Sequence, residues 1–282
     1  MMRFTFIGGE WRFDSTPKIM GVLNVTPDSF SDGGDHRDVA ASLHHARAMA
    51  AAGADVIDIG GESTRPGARE VPAAEEIRRV CPVIQAVTSR LDIPVSVDTR
   101  KAAVAAAAVE AGAVIINDVS GLTFDSDMIR VVKDTGAGYI GMHMRGTPET
   151  MQSLTDYGDI MAELKRFFHH MLTHAVDQGV SLESLAIDPG IGFGKTGEQN
   201  IQIIQRLAEL RDIHRPVLMG VSRKSFIGET LGLADPKQRA WGTAAAVAVC
   251  VANGAHIHRV HDVAEMRQVA DMAAALTKTM AM

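Results

Sequence analysis

The sequence predicts an α/β fold, a single (β/α)8 barrel of the TIM type. Three observations carry that prediction: eight short apolar runs of strand length, a helix-like stretch after each, and a polar residue at nearly every run's end. Alternating strands and helices make a parallel sheet, and eight such units close it. A closed barrel keeps its chemistry at the carboxyl ends of its strands. Polar residues as far apart as Asn24 and His261 are therefore expected to share one pocket.

The elements follow in order. Residues 4–14 alternate around Gly8-Gly9, with Phe4-Thr5-Phe6-Ile7 before and Trp11-Arg12-Phe13 after. That is a β-hairpin pattern, and residues 1–16 are expected to cover the bottom of a barrel formed by 17–282. Strand 19–25 carries Asn24 and precedes helix 39–52. Strand 55–60 runs into Glu62-Ser63-Thr64-Arg65 and helix 73–90. Strand 94–98 ends at Asp98 before helix 101–111, and strand 114–118 ends at Asn117-Asp118 before helix 126–135. Strand 138–144 leads to Arg145 and helix 159–178. Strand 185–188 ends at Asp188 before helix 199–211. Strand 216–222 reaches Ser222-Arg223-Lys224 before helix 237–253, and strand 256–260 brings Arg259 and His261 before helix 262–278.

A chain of 282 residues fits one barrel, and 46% hydrophobic residues with only 5% aromatics suit an interior of aliphatic layers. Cys81 and Cys250 lie in helical stretches without partner motifs, which predicts buried thiols in a reducing compartment. No run reaches the ~18 apolar residues of a membrane span. The amino terminus lacks the charged-then-apolar pattern of a secretion signal, so the expected location is the cytoplasm, and the Asn24-Val25-Thr26 sequon is a chance match. A net charge of −6 argues against a nucleic-acid partner. An anionic ligand would have to be held by local basic residues.

Asp98, Asn117 and Asp188 each follow a β-branched run and should point into the barrel mouth, where an unpaired carboxylate is costly. Two readings stand side by side: a polar network capping the top layer, or a cleft of acceptors around a heterocycle rich in N–H groups. A carboxylate can accept paired N–H bonds from an amino-pyrimidinone edge, and an amide offers both donor and acceptor. Arg65, Lys224, Arg259 and His261 form a basic set suited to phosphate or pyrophosphate, three of them at the last two strands, where barrels often bind phosphate. Gly190, Gly192 and Gly194 have GxGxG spacing without a dinucleotide-binding context. They are expected to form a tight loop beside a flat ligand, with Phe193 as a wall. The pairs His44-His45 and His169-His170 lack metal-ligand spacing and read as solvated helix residues. Long turn-rich loops after the first two strands, 26–35 and 61–68, are expected to be lids.

With their neighbours, these residues resemble the dihydropteroate synthase family of pterin-binding enzymes. The matching segments are Ile19–Gly34, Asp58–Gly67, Ser96–Thr99, Ile116–Gly121, Met142–Arg145, Asp188–Lys195, Gly220–Ser225 and Arg259–Asp262. Gln199 departs from the His usual in that family. The resemblance implies that 4-aminobenzoate displaces pyrophosphate from 6-hydroxymethyl-7,8-dihydropterin pyrophosphate. It implies pterin contacts from Asp98, Asn117, Met142, Asp188, Gly192, Phe193 and Lys224. Asn24, Arg65, Arg259 and His261 match its pyrophosphate and Mg²⁺ site, with Asn24 the metal ligand. Phe30, Thr64, Pro66 and Ser225 match positions near the aminobenzoate. Asp98, Lys224 and Arg65 are the expected catalytic groups. No nucleophilic side chain is needed, and no Ser-His-Asp or Cys-His arrangement stands out.

Two rivals use the same barrel. A module presenting a methylated pterin to a corrinoid protein would keep the acidic set but has no need of the basic one. A binding-only relative would be expected to have lost a basic residue. The near-continuous small apolar run Ala244–Ala252 suits packing or an interface, and the resemblance implies a homodimer.

Overall fold

In a computed structural model, the described residues are 2–13, 16–25, 34–63, 67–68, 70–147 and 149–278. Strands β1 (Met2–Phe6) and β2 (Gly9–Phe13) pair antiparallel as a hairpin. The barrel strands are β3 (Lys18–Asn24), β4 (Val56–Gly60), β5 (Val95–Asp98), β6 (Ile115–Asp118), β7 (Gly138–Met142), β8 (Leu185–Asp188), β9 (Leu218–Met219) and β10 (Ile257–Val260). They pair in parallel in the order β8-β7-β6-β5-β4-β3-β10-β9. A parallel bridge between Ile187 and Val217 closes the ring. Around it lie α1 (Gly34–Ala51), α2 (Ala73–Thr88), α3 (Ala102–Glu110), α4 (Met128–Thr135), α5 (Ile160–Asp177), α6 (Gly197–Gln205), α7 (Ser225–Leu231), α8 (Ala240–Ala252) and α9 (Val263–Lys278).

The strand period of two divides the core into two parts. Ile57, Ile59, Val95, Val97, Ile116, Tyr139, Ile187 and Val260 pack outward with the helices. Met20, Val56, Ile115, Ile140, Ala186, Leu218 and Ile257 form a separate cluster with Phe4 and Trp11. That second cluster is the lowest layer of the lumen, plugged from below by the hairpin. Each buried aromatic is worth about 1.5–3 kcal/mol in removed apolar surface. Gly138 makes room for the plug, since a Cβ there would lie 2.8 Å from the Phe4 ring.

Several elements differ from expectation. Pro216 cannot donate to a ladder, so strand 216–222 shrinks to two residues and a bridge. Strand 138–144 stops at Met142, and the predicted helix 199–211 is α6 followed by a 3-10 turn, Leu207–Ile213. Helix α7 was not anticipated, because seven residues carry too short a periodic stripe. Cys250 is buried, but Cys81 is only half-buried. His44, His45, His169 and His170 are exposed on helices. Among the described residues, no helix is long and apolar enough to cross a membrane.

Candidate active site

Two residues above the plugged layer, the lumen changes character. The side chains reached by that step are Val22, Asp58, Asn117, Met142, Asp188 and Arg259, with Gly220 opening space just after β9. Asp98 occupies the matching place above Ser96 on β5. All of these except Asp58 line one cleft, together with Ile191, Phe193, Ser222, Lys224 and His261. Period-two geometry therefore gathers charged and amide groups from five different strands onto one floor.

Asp58 is the centre of that floor, and sequence reasoning passed over it. It is fully buried, and its Oδ2 accepts from Arg259 Nε at 2.6 Å and from Asn117 Nδ2 at 3.1 Å. Arg259 Nη2 donates to Asp98 Oδ2 at 2.6 Å. One guanidinium thus bridges two carboxylates. The other oxygen of each, Asp58 Oδ1 and Asp98 Oδ1, is buried without a hydrogen-bond partner among the described residues. Burial raises Asp98 to about 7, against the lowering pull of Arg259 and with Asp58 adding to the rise. The neighbour Asp118 points away and is structural. It accepts from Ser120 N at 2.8 Å, Leu122 N at 3.0 Å and Tyr139 Oη at 2.7 Å, fixing the turn after β6.

Asp188 ends β8 and begins the glycine loop. Its Oδ1 accepts from Gly190 N at 2.7 Å, and its backbone carbonyl accepts from His143 N at 2.9 Å. Gly190 has φ of 71°, and a Cβ there would stand 2.1 Å from the His143 carbonyl, so only glycine fits. Burial raises Asp188 to about 6, opposed by the Gly190 hydrogen bond and then by Lys224. Phe193 forms a wall, and Lys224 Nζ lies 4.2 Å over its ring. Gly192 lets that lysine pass, since a Cβ would sit 3.2 Å from Lys224 Cδ. Burial and the nearby Arg259 lower Lys224 to about 8, with Asp188 opposing.

Arg223 makes the turn that presents both Ser222 and Lys224 to the cleft. Its φ of 59° is left-handed, costing about 1–3 kcal/mol for a residue that is not glycine. Surrounding contacts hold it there: its guanidinium pairs with Asp262, its N–H donates to Thr243 Oγ1 at 3.0 Å, and its carbonyl accepts from Arg239. His261 Nδ1 lies 3.0 Å from Ser222 Oγ, and burial, then Arg259, lowers the ring to about 4.

Asp98, Asn117, Met142, Asp188, Phe193, Lys224, Arg259 and His261 are thus brought together, with Gly192 at their edge. Asn24 stands half-buried at the end of β3, opposite Gly60 of β4, and Ser225 is exposed at the start of α7. Phe30, Thr64, Arg65 and Pro66 lie outside the described residues, as do residues 26–33 of the first expected lid and 64–66 of the second. Among the described residues, no three His, Cys, Asp or Glu side chains converge as a metal cage.

Comparison with known proteins identifies the family. The sequence model of the family described as pterin binding enzyme matches residues 20–261. A dihydropteroate synthase of Synechocystis sp. is 50% identical over 258 residues, covering 92% of this chain and 89% of that one. The structure of the Yersinia pestis dihydropteroate synthase with a sulfonamide drug superposes with a TM-score of 0.91 at 43% identity, covering 99% of this chain and 100% of that one. The Xanthomonas albilineans enzyme in complex with 7,8-dihydropteroate gives 0.87 at 40% identity, with 97% and 98% covered.

Proposed function

The chain belongs to the pterin-binding enzyme family, and we propose that it carries out the dihydropteroate synthase reaction of folate biosynthesis. It is a transferase that joins the methylene of 6-hydroxymethyl-7,8-dihydropterin pyrophosphate to 4-aminobenzoate. The observation that carries this reading is the buried, unpartnered oxygen Asp98 Oδ1, in one cleft with Asn117, Asp188 and Lys224. Leaving such an oxygen unmet costs about 1–3 kcal/mol or more, and an amino-pyrimidinone brings N–H groups to a cleft so lined.

The pterin ring lies between Met142 and Phe193, its N–H edge toward Asp188 and Asn117. Lys224 donates to the ring carbonyl. The C–O bond between methylene and pyrophosphate breaks first, its electron pair leaving with the pyrophosphate. Asp98 stabilises the developing cation, while Arg259, His261 and Arg65 stabilise the departing anion. The arylamine nitrogen then forms the new C–N bond and gives up a proton to the pyrophosphate or to water. Thr64, Pro66, Phe30 and Ser225 form the aminobenzoate side, where a sulfonamide would compete.

Mg²⁺ suits this site because the ion prefers few protein ligands with phosphate oxygens and water completing its shell. Asn24, at the carboxyl end of β3, would hold it, and the ion would add positive charge against the pyrophosphate. The protein works in the cytoplasm as a homodimer. An apolar groove between α6, α7 and α8 supports the second copy, because Trp241 and Leu231 beside it are 88% and 52% exposed. Pyrophosphate release in the presence of the pterin substrate tests the reaction: it should depend on 4-aminobenzoate, and release indifferent to aminobenzoate would overturn the assignment.

A further inference from the structure

Behind the cleft, on the far side of the glycine loop, a second cluster of buried polar groups takes no part in the mechanism above. Lys195 is 3% exposed, and its Nζ donates to the carbonyls of Phe193 at 2.9 Å and His143 at 3.2 Å. Nζ also lies 3.0 Å from Nδ1 of His143, which is 2% exposed. An ammonium has three donors, and these three acceptors use all of them. The His143 ring must then accept at Nδ1 and be neutral. Burial and the charge of Lys195 push it down to about 2, which agrees. Phe167 of α5 holds the ring edge-on, with centroids 4.9 Å apart.

Three successive carbonyls of the loop accept side-chain hydrogen bonds. Gly192 accepts weakly from Gln152 at 3.5 Å, Phe193 from Lys195, and Gly194 from Tyr157 Oη at 2.9 Å. A segment in which Gly190, Gly192 and Gly194 alternate with larger residues gives up much backbone freedom on ordering. Of these three donors only Lys195 is buried, and burial draws its ammonium down to about 7. It also bonds the one residue of the three whose side chain lines the cleft, and that ring carries the Lys224 ammonium.

We propose that Lys195, seated on His143, is a positioning residue that fixes the Phe193 wall and, through its ring, Lys224 over the pterin. The inference rests on the reading of the cleft as a pterin site. Lys195 touches no reacting atom, so its action must pass through Phe193.

A double-mutant cycle tests that route. Lys195→Met should lower kcat/KM for the pterin substrate about tenfold, mostly in KM, and add less than about twofold to Phe193→Ala. A Lys195→Met enzyme that melts like wild type and keeps full kcat/KM would overturn the proposal. So would a tenfold loss that repeats unchanged on Phe193→Ala. Should Lys195→Met not fold, His143→Leu enters the same cycle, since it removes one acceptor and leaves both carbonyls; the same two outcomes decide. If wild type itself makes no product from pterin and aminobenzoate, the functional reading has failed. The clamp is then judged by a structure of Lys195→Met, in which Phe193 should be displaced.

Discussion

Arg259 of β10 donates through Nη2 to Asp98 Oδ2 of β5 at 2.6 Å, reaching past β3 and β4 in the closed sheet. The same guanidinium holds Asp58, so one cation neutralises the carboxylates on which a ligand would otherwise be the first positive partner. Arg259→Met should therefore cost roughly 3–5 kcal/mol, as broken buried pairs do. Asp98 sets the pH dependence. Its folded pKa, already about 7, rises further without Arg259. A carboxyl raised in the folded state loses stability as pH climbs from its unfolded value through its folded one. Urea unfolding should find the variant's deficit smaller well below pH 7 than above it. An equal deficit across that range would remove Asp98 from the pair.

Asp58 is expected to act by orienting Arg259 and Asn117 together. Asp58→Asn keeps the shape but weakens two hydrogen bonds, one of them to a charged partner, a loss of about 1.5–3 kcal/mol in pterin binding. Calorimetry on the folded variant checks it. Unchanged affinity would make Asp58 a bystander of the barrel floor.

These two residues mark where sequence reading succeeds and where it stops. Asp98, Asn117 and Asp188 were legible because each ends an apolar run, and strand ends face the mouth of a barrel. Arg259 was legible as basic, but the resemblance placed it with pyrophosphate. Its pairing with Asp58 and Asp98 depends on which strands become neighbours, which no local pattern encodes. Asp58 sits inside its run, between Ile57 and Ile59, where a polar residue carries no positional signal until the lumen layer is known. Arg223, beside Lys224 but outside the basic set, belongs to the turn through its left-handed backbone and its bond to Asp262. The hairpin was legible in outline, since alternation marks Phe4 and Trp11 as its buried face, but its turn falls at Ile7-Gly8, with Gly9 already paired to Phe6.

The acidic limb of pterin affinity should belong to Asp188. Paired N–H donors need its ionised form, and burial raises it to about 6. Pterin affinity should fall as pH drops through about 6, with proton release on binding just below that value. Asp188→Asn sets donor against donor, so it should lose roughly 2–4 kcal/mol of affinity and flatten the limb. Titration in buffers of different ionisation enthalpy measures both. A limb that survives in Asp188→Asn belongs to another group.

Lys224 separates a specific donor from general positive charge. Its ammonium is confined between Phe193 and the acidic floor, where a guanidinium fork is wider than the place it must fill. Lys224→Arg and Lys224→Met should both lose turnover by about a hundredfold or more. If the arginine form stays near wild type, charge alone is what the site needs. A Lys224→Met enzyme with normal turnover would take Lys224 out of the mechanism.

The most direct test is stoichiometry. Purified protein is given 6-hydroxymethyl-7,8-dihydropterin pyrophosphate, 4-aminobenzoate and Mg²⁺, with 7,8-dihydropteroate counted by mass spectrometry and pyrophosphate by a coupled assay. Wild type should form the two in equal amounts, and Asp188→Asn should lose both together. Pyrophosphate in excess of dihydropteroate, or dihydropteroate undiminished in Asp188→Asn, would contradict the account of the cleft as the place where the C–N bond is made.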